Sequence, residues 1–298
     1  PLLMFEIRHV DAPALDIRPL LGEMGYSVFR LTGDAALLIP LADADPVDPF
    51  ELNVFAAKQD RAARLADSGL LAWGTEPHRL SADERDLAVG RLLELPYARG
   101  FEFSADDVLS GDLAPALVAY AAYRFLPLPP ERKYSALKAA FEQARIVCDQ
   151  SATATNLVTL ARLAHAIGYR QFCVDTLQKL FATPVGDADA PFLPPCPRFD
   201  YISPVGSEQA WFMVAAIEQL ELSRAHSSQY VWQDGFVNLK HVCDSPFASA
   251  EFIRRIVLTG LLRGVPPEEL SAYTGAAHQY QHKNSFFWSE DELSSLAR

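Results

Sequence analysis

Five prolines between residues 191 and 204, followed at once by a continuous apolar run, constrain this chain more than any other feature. The stretch Pro191 to Trp232 reads PFLPPCPRFDYISPVGSEQAWFMVAAIEQLELSRAHSSQYVW. Each proline fixes φ and donates no backbone hydrogen bond, so the first third is a stiff loop that cannot sit inside a helix. Ser207 can then cap a helix, with Glu208 in its first turn where a carboxylate suits the dipole. Ala210 to Ile217 is apolar on every side, the pattern of a buried helix. Its second half turns polar through Glu218, Gln219, Glu221 and Arg224, ending at His226. The expectation is a keystone helix fed by a rigid loop. Arg198, Tyr201, Glu218, Glu221, Arg224 and His226 should then gather near one end of the fold.

What precedes the loop changes character along its length. Leu2 to Ile7 (LLMFEI) is a short apolar run, which fits a strand buried on both faces as in a parallel sheet. Ala14 to Met24 has helical spacing, and Gly25 stops it. Tyr26 to Leu31 alternates like a strand. Thr32-Gly33-Asp34 supplies turn chemistry, and Ala36 to Leu41 pairs back as a hairpin. A βαββ unit of this size cannot bury both sides of its first strand alone, so it looks like the end of a larger sheet.

Ala42 to Pro49 (ADADPVDP) is an acidic linker, and Glu51 to Ser68 has the spacing of an amphipathic helix. Ser81 and Glu84 form a capping box that opens a helix to about Leu95, where Pro96 ends it. Ser104-Ala-Asp-Asp starts a short helix, and Leu113 to Phe125 makes a longer one. Leu126 to Pro130 (LPLPP) is the best boundary in this half. Beyond it, Glu131 to Asp149, Ala152 to Ile167 and Arg170 to Phe181 are helices, with Gly168-Tyr169 as the turn between the last two. The run from Asn156 to Leu180 resembles one tetratricopeptide-like helical hairpin, without a recurring period. Ala248 to Arg263 is a further apolar helix, ended by Gly264.

FEIRH, then GYSVFRL at Gly25 to Leu31, then LLIPL resembles the closing segment of FkbM-family methyltransferases. In that family a late strand with an acidic residue is followed by a helix, a "GY" strand ending in Arg and a final antiparallel strand. Phe50 to Leu71 is similar to the helix that follows the catalytic domain in members with helical extensions. The resemblance implies S-adenosylmethionine chemistry for a full-length parent. The Gly-rich turn and the ribose-binding acid that hold that cofactor have no counterpart in this sequence. No cofactor, and no methyl transfer, is therefore expected of this chain itself.

Charge and motif patterns narrow the function classes. A net charge of −12 disfavours nucleic acid and anionic membrane surfaces, which need clustered Lys and Arg. No apolar run reaches the roughly 18 residues of a membrane helix, and no signal-peptide pattern is present, so a cytoplasmic location is expected. The four cysteines form no CxxC pair and fit free thiols. No GxSxG motif or visible Cys–His pairing marks a nucleophile.

Glu6, with His9 on the same strand edge, is the candidate catalytic carboxylate, because open α/β sheets place ligands at such edges. An ion pair with Arg8 or Arg30 is the simpler account. Arg198, Tyr201, Arg224 and His226 are the candidate binding residues for an anionic group, although Glu218 and Glu221 could pair Arg224 locally. His278 and His282 stand four apart, as metal ligands on one helix face do. Only His241 and Cys243 could complete such a set, and no metal is expected.

The fold class expected is mainly α, with a truncated βαββ piece at residues 1–47, a helical connector at 48–126 and a helical, partly tetratricopeptide-like domain at 127–298. The function expected is the C-terminal region of an FkbM-like methyltransferase whose helical part docks a protein or glycan-type substrate. A stand-alone helical interaction module, possible in glycosylation machinery, is the alternative. The first strand should also leave an edge open to self-association.

Overall fold

The computed structural model describes residues 2–6, 17–33, 37–42, 48, 53–76, 79–182, 190–204, 206–224, 239–240, 242–270 and 273. The chain divides into two compact units, Pro1–Val205 and Gly206–Arg298. It is mainly helical, with one small sheet at the start.

The first unit opens with strand β1 (Leu2–Glu6), helix α1 (Arg18–Glu23), and strands β2 (Tyr26–Leu31), β3 (Leu38–Pro40) and β4 (Asn53–Lys58). The sheet order is β1-β4-β2-β3, and every neighbouring pair is antiparallel. The β2–β3 hairpin forms as its turn chemistry predicts: the Thr32 amide donates to Leu37 O (2.9 Å), and the Leu37 amide donates to Thr32 Oγ1 (3.2 Å).

Two sequence expectations fail here. The strand β1 is not buried on both faces. It lies at the sheet edge, paired on one side to β4, and leaves Leu2, Leu3 and Met4 exposed, Met4 to 66%. Residues 53–58 are not the start of a helix but the central strand β4. Val54 and Ala56 face the α1 side with Leu21 and Val28, while Ala57 joins Phe29, Leu38 and Leu65 on the other. A strand covered on both faces reads as a continuous apolar run, here the four residues Val54 to Ala57, and so short a run also satisfies a helix. Helix α2 (Gln59–Asp67) starts only where the charged residues do.

Among the described residues seven helices follow: α3 (Ala82–Leu93), α4 (Pro96–Gly100), α5 (Ala105–Ser110), α6 (Ala114–Phe125), α7 (Pro130–Gln150), α8 (Ala154–Ile167) and α9 (Arg170–Phe181). Capping boxes open α3 at Ser81/Glu84 and α5 at Ser104/Asp107, each with both reciprocal hydrogen bonds made. Ser104 holds the Asp107 carboxyl below its ordinary range. Pro96 both closes one helix and starts the next, where a missing N–H costs nothing. Helix α6 packs on α7, α7 on α8 and α8 on α9.

The sheet is fastened to the α8–α9 hairpin. The Gly33 amide donates to Ala166 O (3.0 Å), and a Cβ on Gly33 would lie 2.2 Å from His165 O. Gly168 turns the hairpin at φ +93°, where only glycine is unstrained. The Arg30 guanidinium sits 4.6 Å from the Tyr169 ring centroid, and the Gln171 amide donates to Asp48 Oδ2 (2.8 Å). The boundaries expected after residues 47 and 126 both fall inside this unit.

The second unit contains α10 (Glu208–Arg224) and α11 (Ala250–Leu262). Trp211 is fully buried, as the apolar half of α10 requires. The polar half departs from expectation: Glu218, Gln219, Glu221 and Ser223 are buried too. Helix α11 buries Arg254, Arg255 and Thr259. Charges of both signs are thus withdrawn from solvent in this unit.

Candidate functional site

The proline-rich loop of the first unit is held by one polar stripe on α8. Thr155, Thr159 and Arg162 are spaced four and three apart, which places them on one face of an otherwise apolar helix. All three are buried, Arg162 and Thr159 completely. The Leu193 amide donates to Thr159 Oγ1 (3.0 Å). Arg162 donates through Nη1 to Pro194 O (3.1 Å) and Asp200 Oδ1 (3.2 Å), and through Nη2 to Asp200 Oδ2 (2.8 Å) and to Tyr120 OH. A guanidinium offers a rigid fork of donors, and here the fork closes on both oxygens of one carboxylate. Asp200 lies in a one-turn 3-10 helix, Pro197–Tyr201, that ends the stiff part of the loop.

Aromatic side chains fix the loop's start. Phe192 packs against Tyr97, Phe101 and Phe103, with centroid distances of 6.2, 5.0 and 5.7 Å. The Tyr97 hydroxyl donates to Phe192 O (3.0 Å). Burial, reinforced by the Asp200 carboxylate, pushes the Tyr97 phenol well above its ordinary pKa. A Cβ on Gly100 would lie 2.3 Å from Pro204 Cδ, so the other end of the loop is seated against α4 as closely as backbone allows.

The clamp reaches the surface at one side. Arg124, two turns on from Leu117 along α6, donates to Tyr201 OH (3.3 Å) and approaches Asp200 Oδ2 at 3.8 Å. Burial alone would lower the Arg124 pKa; the charges of Tyr120 and Asp200 and the Tyr201 hydrogen bond leave it raised. At the opposite end, a cleft of about 290 Å³ opens where the N-termini of α6 and α8 meet the loop. Asp107, Asp112, Leu117, Thr153, Thr155 and Asn156 are among its lining residues.

The sequence candidates distribute unevenly. Arg198 and Tyr201 sit on the 3-10 turn of the clamp, in the first unit. Arg224 ends α10 in the second unit, with Nη1 4.0 Å from Glu221 Oε1. Glu6 ends β1, opposite Asn53. His9, His226, His241, His278 and His282 lie outside the described residues. Among the described residues no group of three or more His, Cys, Asp or Glu is arranged for a metal, and no helix is long and apolar enough to cross a membrane. All four cysteines are buried thiols, and burial pushes that of Cys148 up to about 12. A hollow beside the sheet is lined, among the described residues, by Gly22, Gly25, Tyr26, Ser27, Gln59 and Trp73.

Sequence reasoning missed Arg162, Asp200, Tyr120 and Arg124. A signal was available: Arg162 and Asp200 are opposite charges set in otherwise apolar contexts, and buried charges are paired. Comparison with protein-family models, curated proteins and solved structures finds no match to the chain.

Proposed function

We propose that this chain is the C-terminal region of an FkbM-like, S-adenosylmethionine-dependent methyltransferase, with its helices serving as a docking module for a protein or glycan-type acceptor. One observation carries the reading. Strands β1 and β2 are joined through α1 and are both antiparallel to β4, so they run parallel to each other with a strand inserted between them. That is a strand–helix–strand connection followed by an antiparallel strand, the order the family resemblance calls for at the end of its sheet. Both β3, inside the LLIPL segment, and β4 are antiparallel to β2. The outer edge of β1, with Leu2, Leu3 and Met4 exposed, is where further strands of a catalytic sheet would add.

In this reading the present residues do not bind the cofactor, and methyl transfer belongs to the longer parent. The coding sequence upstream of Pro1 tests it. A frame that continues into a strand, a Gly-rich turn and a helix supports the proposal; a frame that starts at Pro1 defeats it.

The alternative, a stand-alone interaction module of cytoplasmic proteins, draws on the helical half alone. Its support is the groove side of α6 and α8, where a cleft and an exposed Arg–Tyr pair flank a rigid loop. Pull-down with the isolated chain, with and without its sheet edge blocked by Met4→Lys, separates the two. Retention of a partner by the variant favours the module.

A further inference from the structure

We infer that Arg124 and Tyr201 form a binding site for a carboxylate or phosphate group presented by the docked molecule. The starting point is a charge count around Asp200. Two guanidinium groups approach this one carboxylate, but not equally. Arg162 takes both oxygens, at 2.8 and 3.2 Å, and is fully buried. Arg124 stands 3.8 Å away, beyond hydrogen-bond distance. Asp200 is therefore neutralised by Arg162, and Arg124 carries the surplus positive charge.

The geometry of the surplus charge suits an external anion. The Asp200 side chain is 3% exposed, whereas that of Arg124 is 26% exposed, and Tyr201 is open to solvent at 62%. Among the described residues, the hydrogen bond Arg124 makes is the one to Tyr201 OH (3.3 Å). Its remaining donors are not used within that set, and a guanidinium has five. The Tyr201 oxygen accepts from Arg124, which leaves its own O–H proton to donate outward. An anion between them would receive N–H and O–H donors from two side chains already held together. Arg124 is also anchored on a helix and half-buried, so its charge is screened less than that of a surface arginine.

A structural role alone does not account for the pair. If Arg124 served only as a counter-ion to Asp200, it would compete for oxygens that Arg162 already occupies. A positive spot with an exposed phenol is also out of keeping with a chain of net charge −12. Arg198 lies on the same 3-10 turn, its guanidinium 4.5 Å from the Phe199 ring centroid, and adds positive potential to that turn.

The inference rests on the docking role proposed above only for the source of the anion. The experiment uses the full chain and simple probes: inorganic phosphate in one arm and succinate in the other, each against chloride at equal ionic strength. Binding is read from saturable amide shifts in NMR and from the melting temperature. The expected result is saturable binding of at least one probe, about tenfold weaker in Arg124→Gln and measurably weaker in Tyr201→Phe. Which arm saturates distinguishes a phosphate from a carboxylate ligand. Equal response of wild type and both variants, or no saturable response in either arm, overturns the site. If Arg124→Gln fails to fold, Tyr201→Phe decides alone, because its side chain is exposed. A negative result here leaves the upstream-frame test of the methyltransferase reading intact, so the two failures are distinguishable.

Discussion

The two units both bury charge, and they compensate it by different routes. In the first, Arg162 and Asp200 are 38 residues apart, and their pair ties a helix to a loop. In the second, two ion pairs among the described residues are local: Glu251 and Arg255 pair at four residues' spacing (2.9 Å), and Glu221 and Arg224 at three (4.0 Å). A local pair decorates one helix and leaves tertiary structure free. A long-range pair specifies which two pieces of chain meet. The Asp200 carboxylate has both oxygens engaged, but Arg162 Nε in the first unit, like Gln219 Oε1 and Thr259 Oγ1 in the second, is buried without a hydrogen bond. Buried polar atoms left so cost free energy that packing must offset.

The comparison predicts its largest effect at the clamp. Arg162→Ala leaves a buried carboxylate without its partner and should destabilise by about 3–5 kcal/mol in urea denaturation followed by circular dichroism. The double change Arg162→Met with Asp200→Leu should recover much of that loss, because neither charge is then stranded. If the single and double variants are equally unstable, the pair is not what holds the loop. Trp211→Ala sets the scale for the second unit. Its side chain is fully buried, and the cost should again be about 3–5 kcal/mol, by lost packing rather than lost charge.

Arg255→Ala should cost less, about 1.5–3 kcal/mol, since it removes one charge-assisted hydrogen bond within a single helix. Its partner Glu251 keeps a side-chain exposure of 16% and can turn toward water. A loss as large as that of Arg162→Ala would erase the distinction between the local and long-range pairs.

The same distinction governs what could be read from the residues beforehand. Capping boxes at Ser81/Glu84 and Ser104/Asp107, the glycine turn at Gly168 and the helices from α6 to α9 are all local patterns, and they form where expected within a few residues. Strand β4 reads as helix in the sequence because Val54 to Ala57 is apolar on both faces. Only its two neighbours, β1 and β2, decide between the periods. Arg162 reads as an ordinary polar break in an Ala- and Leu-rich helix until Asp200 is placed beside it. Arg198 and Tyr201 stand out in the loop's composition, but Arg124, the partner of Tyr201, lies 77 residues upstream of it. Burial of Glu218 and Glu221 was hidden for the opposite reason: a charged half-helix looks like a solvated end.

A pH experiment probes the clamp without changing its charges. Burial raises the Tyr97 phenol well above its ordinary pKa of 10.0. Above about pH 10 the unfolded chain releases this proton while the folded chain retains it, so stability falls as pH rises. The slope is about 1.4 kcal/mol per pH unit for one such group. Tyr97→Phe should cost about 1 kcal/mol at neutral pH through the lost bond to Phe192 O. Its stability should then fall less steeply than that of the wild type between pH 10 and 11. Parallel curves would mean that Tyr97 titrates normally.

The smallest effect is expected at Arg224, and it bears directly on the contrast between the units. The contact with Glu221 is at 4.0 Å and three residues' spacing, the geometry of a weak helical pair worth about 0.5 kcal/mol or less. Against this, the Glu221 side chain is only 1% exposed, and a buried carboxylate deprived of a counter-ion it depends on would cost several times more. The two accounts separate on Arg224→Ala in urea denaturation at low and high salt. A change of about 0.5 kcal/mol that shrinks with added salt means that Glu221 is held by other contacts and that Arg224 only decorates the end of α10. A loss above about 2 kcal/mol that salt does not reduce means that Arg224 is the charge that allows Glu221 inside. The second unit would then contain a clamp of its own, built within one helix instead of across 38 residues.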